Sequence, residues 1–214
     1  EAMPTSRRML ERIYRSGWAP WLYYLVEMWW LRMFFPSKKY MTTQRPEFFW
    51  DSALALVTGT LWISTLVLAS SITGQSLWVL LGFGFLVPFL VWNALIGFVV
   101  YVHHTHTDVR WHDDKKSWAE AVPFVTTTVH LVFPFGIGGL FHNIMEHTAH
   151  HVDMSIPLYK LKEAQQLLEE RLPEHIIVQR FSWRWYFKTA RLCKLYDFKR
   201  NDWVDFEGRY WFSF

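Results

Sequence analysis

A chain of 214 residues normally folds as one domain, and with 51% of them hydrophobic it has ample material for a core. A formal charge of +3 names no partner by itself. The single cysteine, Cys193, excludes an intrachain disulfide and a cysteine-built zinc site, and there is no internal repeat, glycine-rich phosphate loop or nucleophile elbow.

The chain opens Glu1-Ala2-Met3, with no signal peptide read there, which fits a fragment. Trp18, Trp21, Tyr23, Tyr24, Trp29 and Trp30 then mix with Arg12, Arg15, Glu27 and Arg32. Such a stretch is too charged to span a bilayer and too aromatic to be solvated. Trp and Tyr rings collect where hydrocarbon meets headgroups, so the pattern predicts an interfacial helix over about Trp21–Phe34, ended by Pro36.

From Ser52 to Thr107 there is no Asp, Glu, Lys or Arg, a run longer than any ordinary soluble helix. Thr73-Gly74-Gln75-Ser76 is small, polar and turn-forming, and divides it into two spans, 52–72 and 77–102. Lys38, Lys39 and Arg45 precede the hairpin and Arg110, Lys115 and Lys116 follow it, which places both flanks in the cytoplasm. Pro88 should kink the second span. Asn93, its one strongly polar residue, should face another helix.

Histidines begin where the run ends. All but one of the ten lie between His103 and His151. The first group is Tyr101-Val102-His103-His104-Thr105-His106, continuing to His112-Asp113-Asp114; the second is His142-Asn143-Ile144-Met145-Glu146-His147-Thr148-Ala149-His150-His151. On a helix His147, His150 and His151 stand at i, i+3 and i+4 and share a face with Asn143. Imidazole suits iron, zinc and copper, so the spacing points to a metal, with Glu146 and Asp153 near enough to accept the far N–H of a ligating ring.

Between the groups, Ala121–Phe141 is uncharged and long enough to span. Spanning would send the two groups to opposite faces of a bilayer, so a shared metal requires this segment to be re-entrant or surface-lying. Beyond His151, Leu158, Leu161, Ala164, Leu168 and Leu172 mark an amphipathic helix that starts near Pro157 and closes near Pro173. Arg180, Arg184, Lys188, Arg191 and Lys194 then follow helical spacing among Phe181, Trp183, Trp185, Tyr186 and Phe187. Basic plus aromatic suits nucleic acid, but beside a membrane domain an anionic lipid surface is the better partner, and no nucleic acid is expected.

The segments YVHHTHTDVRWHDD and HNIMEHTAHHVDMSIPLY together resemble the membrane-bound fatty acid desaturases, closest to the oleate (delta-12) branch. His150-His151, Ile156-Pro157 and Tyr159 fall where that family has its HH and following xPxY. In two respects the chain departs from the pattern: one residue is missing between Asn143 and His147, and Thr107 and Arg110-Trp111 replace the prolines of the first stretch. The family's first two boxes, HxxxH-like and HxxHH, are absent.

The resemblance implies a fatty acid desaturase using a histidine-ligated di-iron (non-haem Fe) centre and O2 on an acyl-lipid or acyl-CoA, with electrons from ferredoxin or cytochrome b5. It implies His147, His150 and His151 as iron ligands from the third box, with His104 and His106 from the HTH element ligating directly or through water. His103 and His112 are left open as ligands, and His130, His142 and His175 take supporting roles. Two readings stand beside it: a related di-iron membrane hydroxylase or ketolase of another lipid, and a non-catalytic truncated membrane protein. The expected fold is an all-α integral membrane protein, one domain over 1–214, with the hairpin, interfacial helices and a cytoplasmic histidine-rich cap over 103–214. Such a fragment alone would be inactive, with a half-built site. A shared site further requires ring nitrogens of the two groups about 3–4 Å apart.

Overall fold

The computed structural model describes residues 4–34 and 45–210. The chain is mostly helical and divides into two compact units, one of Ala19–Phe98 and one of Glu1–Trp18 with Val99–Phe214.

In the first unit, α2 (Pro20–Tyr23) starts on a proline, whose missing N–H is no loss in a first turn, and continues as wider π turns over Tyr24–Phe34. The helix expected over about 21–34 is therefore present, while Pro36 lies outside the described residues. The α3 helix (Pro46–Thr73) ends at Gly74, whose φ of 71° suits a residue without Cβ and whose N–H reaches the Ser70 carbonyl at 3.0 Å. After the Gly74–Ser76 turn come α4 (Leu77–Leu81), π turns over Gly82–Leu86 and α5 (Val87–His104).

Pro46–Thr73 and Leu77–His104 are each 28 residues, about 42 Å of helix. By length and apolar composition both could cross a bilayer core of about 30 Å. Their large side chains point outward: Leu61, Leu68, Trp78 and Phe83 are all exposed. Hydroxyls return to their own helix, Thr60 Oγ1 to the Leu56 carbonyl at 2.8 Å and Thr65 Oγ1 to that of Leu61 at 2.9 Å.

Pro88 follows a change in helix type. A proline cannot donate to the carbonyl four residues back and its ring crowds it. Widened turns precede it instead, and the Gly84 carbonyl accepts the indole N–H of Trp62 from α3 at 2.9 Å. Asn93 is fully buried; its Nδ2 donates to the Phe89 carbonyl at 2.8 Å and its Oδ1 has no partner. Gly97 lets the backbone at Trp21 pass close, since a Cβ there would stand 2.6 Å from the Trp21 Cα.

The second unit begins with α1 (Thr5–Tyr14), which lies by the C-terminal part of the chain: Arg15 Nη1 donates to the Lys194 carbonyl at 2.7 Å and Tyr186 Oη to the Gly17 carbonyl at 2.5 Å. It resumes after α5 with α6 (Lys115–Glu120), capped by Asp114 Oδ1, which accepts from the N–H groups of Lys116 and Ser117. Then follow α7 (Pro123–Thr126), β1 (Val129–Val132), 3₁₀ turns over Pro134–Phe141, α8 (His147–Val152), a 3₁₀ turn over Leu158–Lys160 and α9 (Leu161–Arg171). The last elements are β2 (Ile177–Arg180), α10 (Trp183–Leu192), β3 (Leu195–Asp197) and β4 (Asp202–Val204).

These strands correct the all-α expectation. β1 pairs in parallel with β2, Val129 opposite Ile177 and Val132 opposite Arg180, and β3 pairs antiparallel with β4. Ala121–Phe141 is accordingly broken into short pieces and makes no continuous span. Pro123 and Pro134 confine its middle, and after α7 ends at Thr126 the β-branched Thr128 and Val129 favour extended backbone. The basic stripe is likewise cut: Arg180 belongs to β2 and Lys194 follows the end of α10, leaving Arg184, Lys188 and Arg191 on the helix.

Candidate metal centre

His103 and His104 form the last turn of α5. The His103 Nδ1–H donates to the Val99 carbonyl at 2.7 Å, four residues back on its own helix. That of His104 donates to the Thr127 carbonyl at 3.2 Å, just before β1. With its proton committed to Nδ1, His104 presents a lone pair at Nε2.

The α8 helix carries His147 and His151 one turn apart, so both rings leave the same face. Their Nε2 atoms lie 3.1 Å apart, and His147 Nε2 lies 3.2 Å from His104 Nε2. Nitrogens from two histidine groups more than forty positions apart thus meet at the distances a shared ion demands. Among the described residues, His104, His147 and His151 form the one metal-competent group, with all three nitrogens within 4.8 Å of one another.

The donor chemistry fits a cation. Burial first, and then the neighbouring imidazoles of His103, His104, His151 and His150, push His147 far below the ordinary histidine range. Burial, followed by His104 and His150, lowers His151 to about 4. Both rings are neutral at physiological pH and keep lone pairs available. Hydrogen bonding alone serves three facing nitrogens poorly: His104 can only accept, so one of the two short contacts at His147 Nε2 always lacks a proton of its own. His147 Nδ1 is also buried without a partner. A divalent ion would use all three lone pairs at once.

The other expected ligands stand elsewhere. His106 accepts the Asp108 N–H at Nδ1 (3.1 Å) and its Nε2 faces Gln179 Oε1 at 3.3 Å. With His112 and His175 it lines a cavity of about 710 Å³ whose lining includes none of the three converging rings. His150 neighbours His147 and His151 at ring-centroid distances of 5.6 and 5.9 Å, but its nitrogens lie outside the converging set. His142 and Asn143 have positive φ (50° and 60°) before α8 begins, so Asn143 does not share the helix face; its Nδ2 donates to the Leu158 carbonyl at 3.4 Å. His103 is fully buried, 4.3 Å between ring centroids from His147.

Neither carboxylate supports a converging ring. Glu146 pairs with His130 Nε2 on β1, and Asp153 accepts from the N–H and hydroxyl of Ser155. On its other side His130 Nδ1 meets Glu169 of α9. Burial alone would lower His130, but Glu146 and then Glu169 outweigh it and the ring is raised above its ordinary value. One deeply placed residue escaped the sequence reading: Gln165, almost wholly buried, accepts the Ala149 N–H of α8 at Oε1 (2.9 Å) and donates from Nε2 to Glu169 Oε1 (2.9 Å). Its signal was its place at i+4 from Leu161 and i−3 from Leu168, on the apolar stripe of α9.

A mostly helical chain that brings neutral imidazoles from two distant segments together offers three ligand atoms to a metal ion. Comparison with known sequences makes this specific. The profile of the family described as fatty acid desaturase matches residues 2–183, and the chain belongs to that family. It is 30% identical to the sn-1 oleoyl-lipid 12-desaturase of Picosynechococcus sp. over 116 residues, 54% of this chain and 33% of that relative. It is 32% identical to the chloroplastic omega-6 fatty acid desaturase of Spinacia oleracea over 122 residues, 57% of this chain and 27% of the relative. With the chloroplastic omega-6 enzyme of Glycine max it shares 25% identity over 196 residues, 92% of this chain and 45% of the relative. The chain thus spans less than half the length of each of these curated relatives.

Proposed function

We propose that this chain supplies part of the iron centre of an oleate-type fatty acid desaturase acting on acyl-lipid or acyl-CoA, with His104, His147 and His151 as iron ligands. The convergence of their three Nε2 atoms, in a member of this family, carries the reading. His150 and His106 are proposed to join through a second iron or a water, as the family's box pattern implies. The bound di-iron group supplies the dioxygen chemistry needed to desaturate an unactivated methylene, which no side chain performs unaided. The protein's part is to hold neutral nitrogens in place. Thr127 fixes the His104 tautomer, and the α8 helix sets His147 and His151 at one-turn spacing.

The reading extends to the membrane. The two 28-residue helices cross the bilayer, and the basic residues flanking them hold both histidine groups on the cytoplasmic side. There an electron donor such as ferredoxin or cytochrome b5 can reach the centre.

The test compares membranes carrying the full-length enzyme with membranes carrying its His151→Ala variant. Bound iron should fall, desaturation of an oleoyl lipid should be abolished, and membrane insertion should be unchanged. Retained activity with full iron would remove His151 from the ligand set.

A further inference from the structure

Helix α8 is only six residues long, and its N-terminal residue Glu146 makes no side-chain cap. A helix this short has little stability of its own. Yet it must present two rings to a third within a few tenths of an ångström. Neighbouring elements therefore have to fix its register, and the contacts that do so are polar and buried.

Three of them meet α8 in its first turn. At Glu146, the carboxylate pairs with His130 on β1. At Thr148, Oγ1 accepts the hydroxyl of Thr128 at 3.1 Å, both residues being fully buried. At Ala149, the backbone N–H, which a helix leaves without an internal acceptor in its first turn, donates to Gln165 Oε1 at 2.9 Å. Gln165 thus performs from another helix the work a capping side chain would do. Its amide is oriented in turn, because Nε2 donates to the same Glu169 Oε1 that meets His130 Nδ1. The circuit runs from Ala149 through Gln165, Glu169 and His130 to Glu146, so it leaves α8 at one end of its first turn and returns at the other.

We propose that Gln165 is a positioning residue for the imidazole centre: through its bond to the Ala149 N–H, braced by Glu169 and His130, it locks the rotation of α8 that aims His147 and His151 at His104. The lock itself rests on geometry, while its effect on a metal rests on the function proposed above. An apolar residue of similar size would leave two groups without partners, the Ala149 N–H and one acceptor site of Glu169.

The experiment titrates the full chain in lipid nanodiscs with cobalt(II), reading affinity and the d–d spectrum, and follows amide hydrogen exchange across residues 145–153. Gln165→Leu should weaken cobalt binding about tenfold or more, the scale for losing a support behind a ligand, and speed Ala149 exchange by a similar factor. Leu161→Ala, equally buried on α9, should lower thermal stability while leaving affinity and spectrum in place.

Unchanged cobalt binding and exchange in Gln165→Leu would overturn the proposal. So would equal weakening by Leu161→Ala, which would mark a general loss of stability. Should the wild type bind no cobalt, the metal reading fails by itself and hydrogen exchange decides the lock: faster exchange at Ala149 in Gln165→Leu supports it, and unchanged exchange removes it.

Discussion

The two units place polar and apolar groups in opposite ways. In Ala19–Phe98 the large apolar side chains point outward and the hydroxyls bond to their own helix, an arrangement suited to hydrocarbon surroundings. In the unit carrying the histidines, the groups sealed deepest include His103, Thr128, Thr148 and Gln165, packed among Val102, Val129, Leu131 and Leu161. Burying polar groups is costly unless each finds a partner, and here most of the partners lie on other elements. One unit therefore presents a surface suited to an apolar medium, and the other stores specificity in its interior.

Acid should separate the units most sharply. His147 and His151 are held neutral in the fold, whereas unfolded histidine titrates near 6.5. Between 6.5 and about 4 the unfolded chain takes up more protons, so the stability these rings contribute is full above pH 6.5 and is lost as the pH falls through about 4. His130, with its raised value, acts in the opposite sense, contributing below pH 6.5 and losing its contribution as pH rises through its folded pKa. Metal content and the thermal midpoint should both fall across this acid window, and a His147→Gln/His151→Gln variant should show a flatter midpoint profile.

Leu61→Asp probes the outward face. Leu61 is 63% exposed near the middle of α3. On a water-facing surface the change would be nearly neutral; at the centre of a membrane span it costs about 3 kcal/mol. Insertion into microsomal membranes should drop accordingly, and unimpaired insertion would remove α3 from the bilayer.

Thr148→Val probes the inward polar core. Taking away the Thr148 hydroxyl leaves Thr128 only its long contact to the Val125 carbonyl at 3.5 Å and should cost about 1–3 kcal/mol by thermal or denaturant unfolding. The double change Thr128→Val/Thr148→Val should recover most of that loss, because both partners are then removed together. A smaller effect, about 1 kcal/mol, is expected for Trp62→Phe, which takes the indole N–H away from the Gly84 carbonyl; faster exchange in the turns before Pro88 would report it.

How far the sequence could be read follows the same division. The hairpin was legible because the absence of charge from Ser52 to Thr107 and the small, polar turn at Thr73–Ser76 are local signals. His147 and His151 were legible as candidates because histidines at helical spacing are rarely needed for packing, and His104 because its HTH element resembles the family's. What stayed hidden depends on distant partners. β1 is four residues in an apolar run, and only its pairing with Ile177–Arg180 makes it a strand. His106 turns away because the chain bends at Thr107-Asp108 and Gln179 waits on β2, while Glu146 finds His130 instead of a ligating ring. Gln165 reads as one polar residue among many on a charged helix until Ala149 is seen opposite it.

The bonds from Arg15 to Lys194 and from Tyr186 to Gly17 join residues 179 and 169 positions apart. As the chain leaves the ribosome, the hairpin can complete its largely local contacts once Phe98 has emerged. The histidine-bearing unit must hold its first segment unpartnered until α10 and Lys194 are made. Closing so long a loop is slow, and the open intermediate exposes apolar surface meanwhile. In the order of synthesis the hairpin therefore precedes α8 and the residues of α9 that hold the three imidazoles.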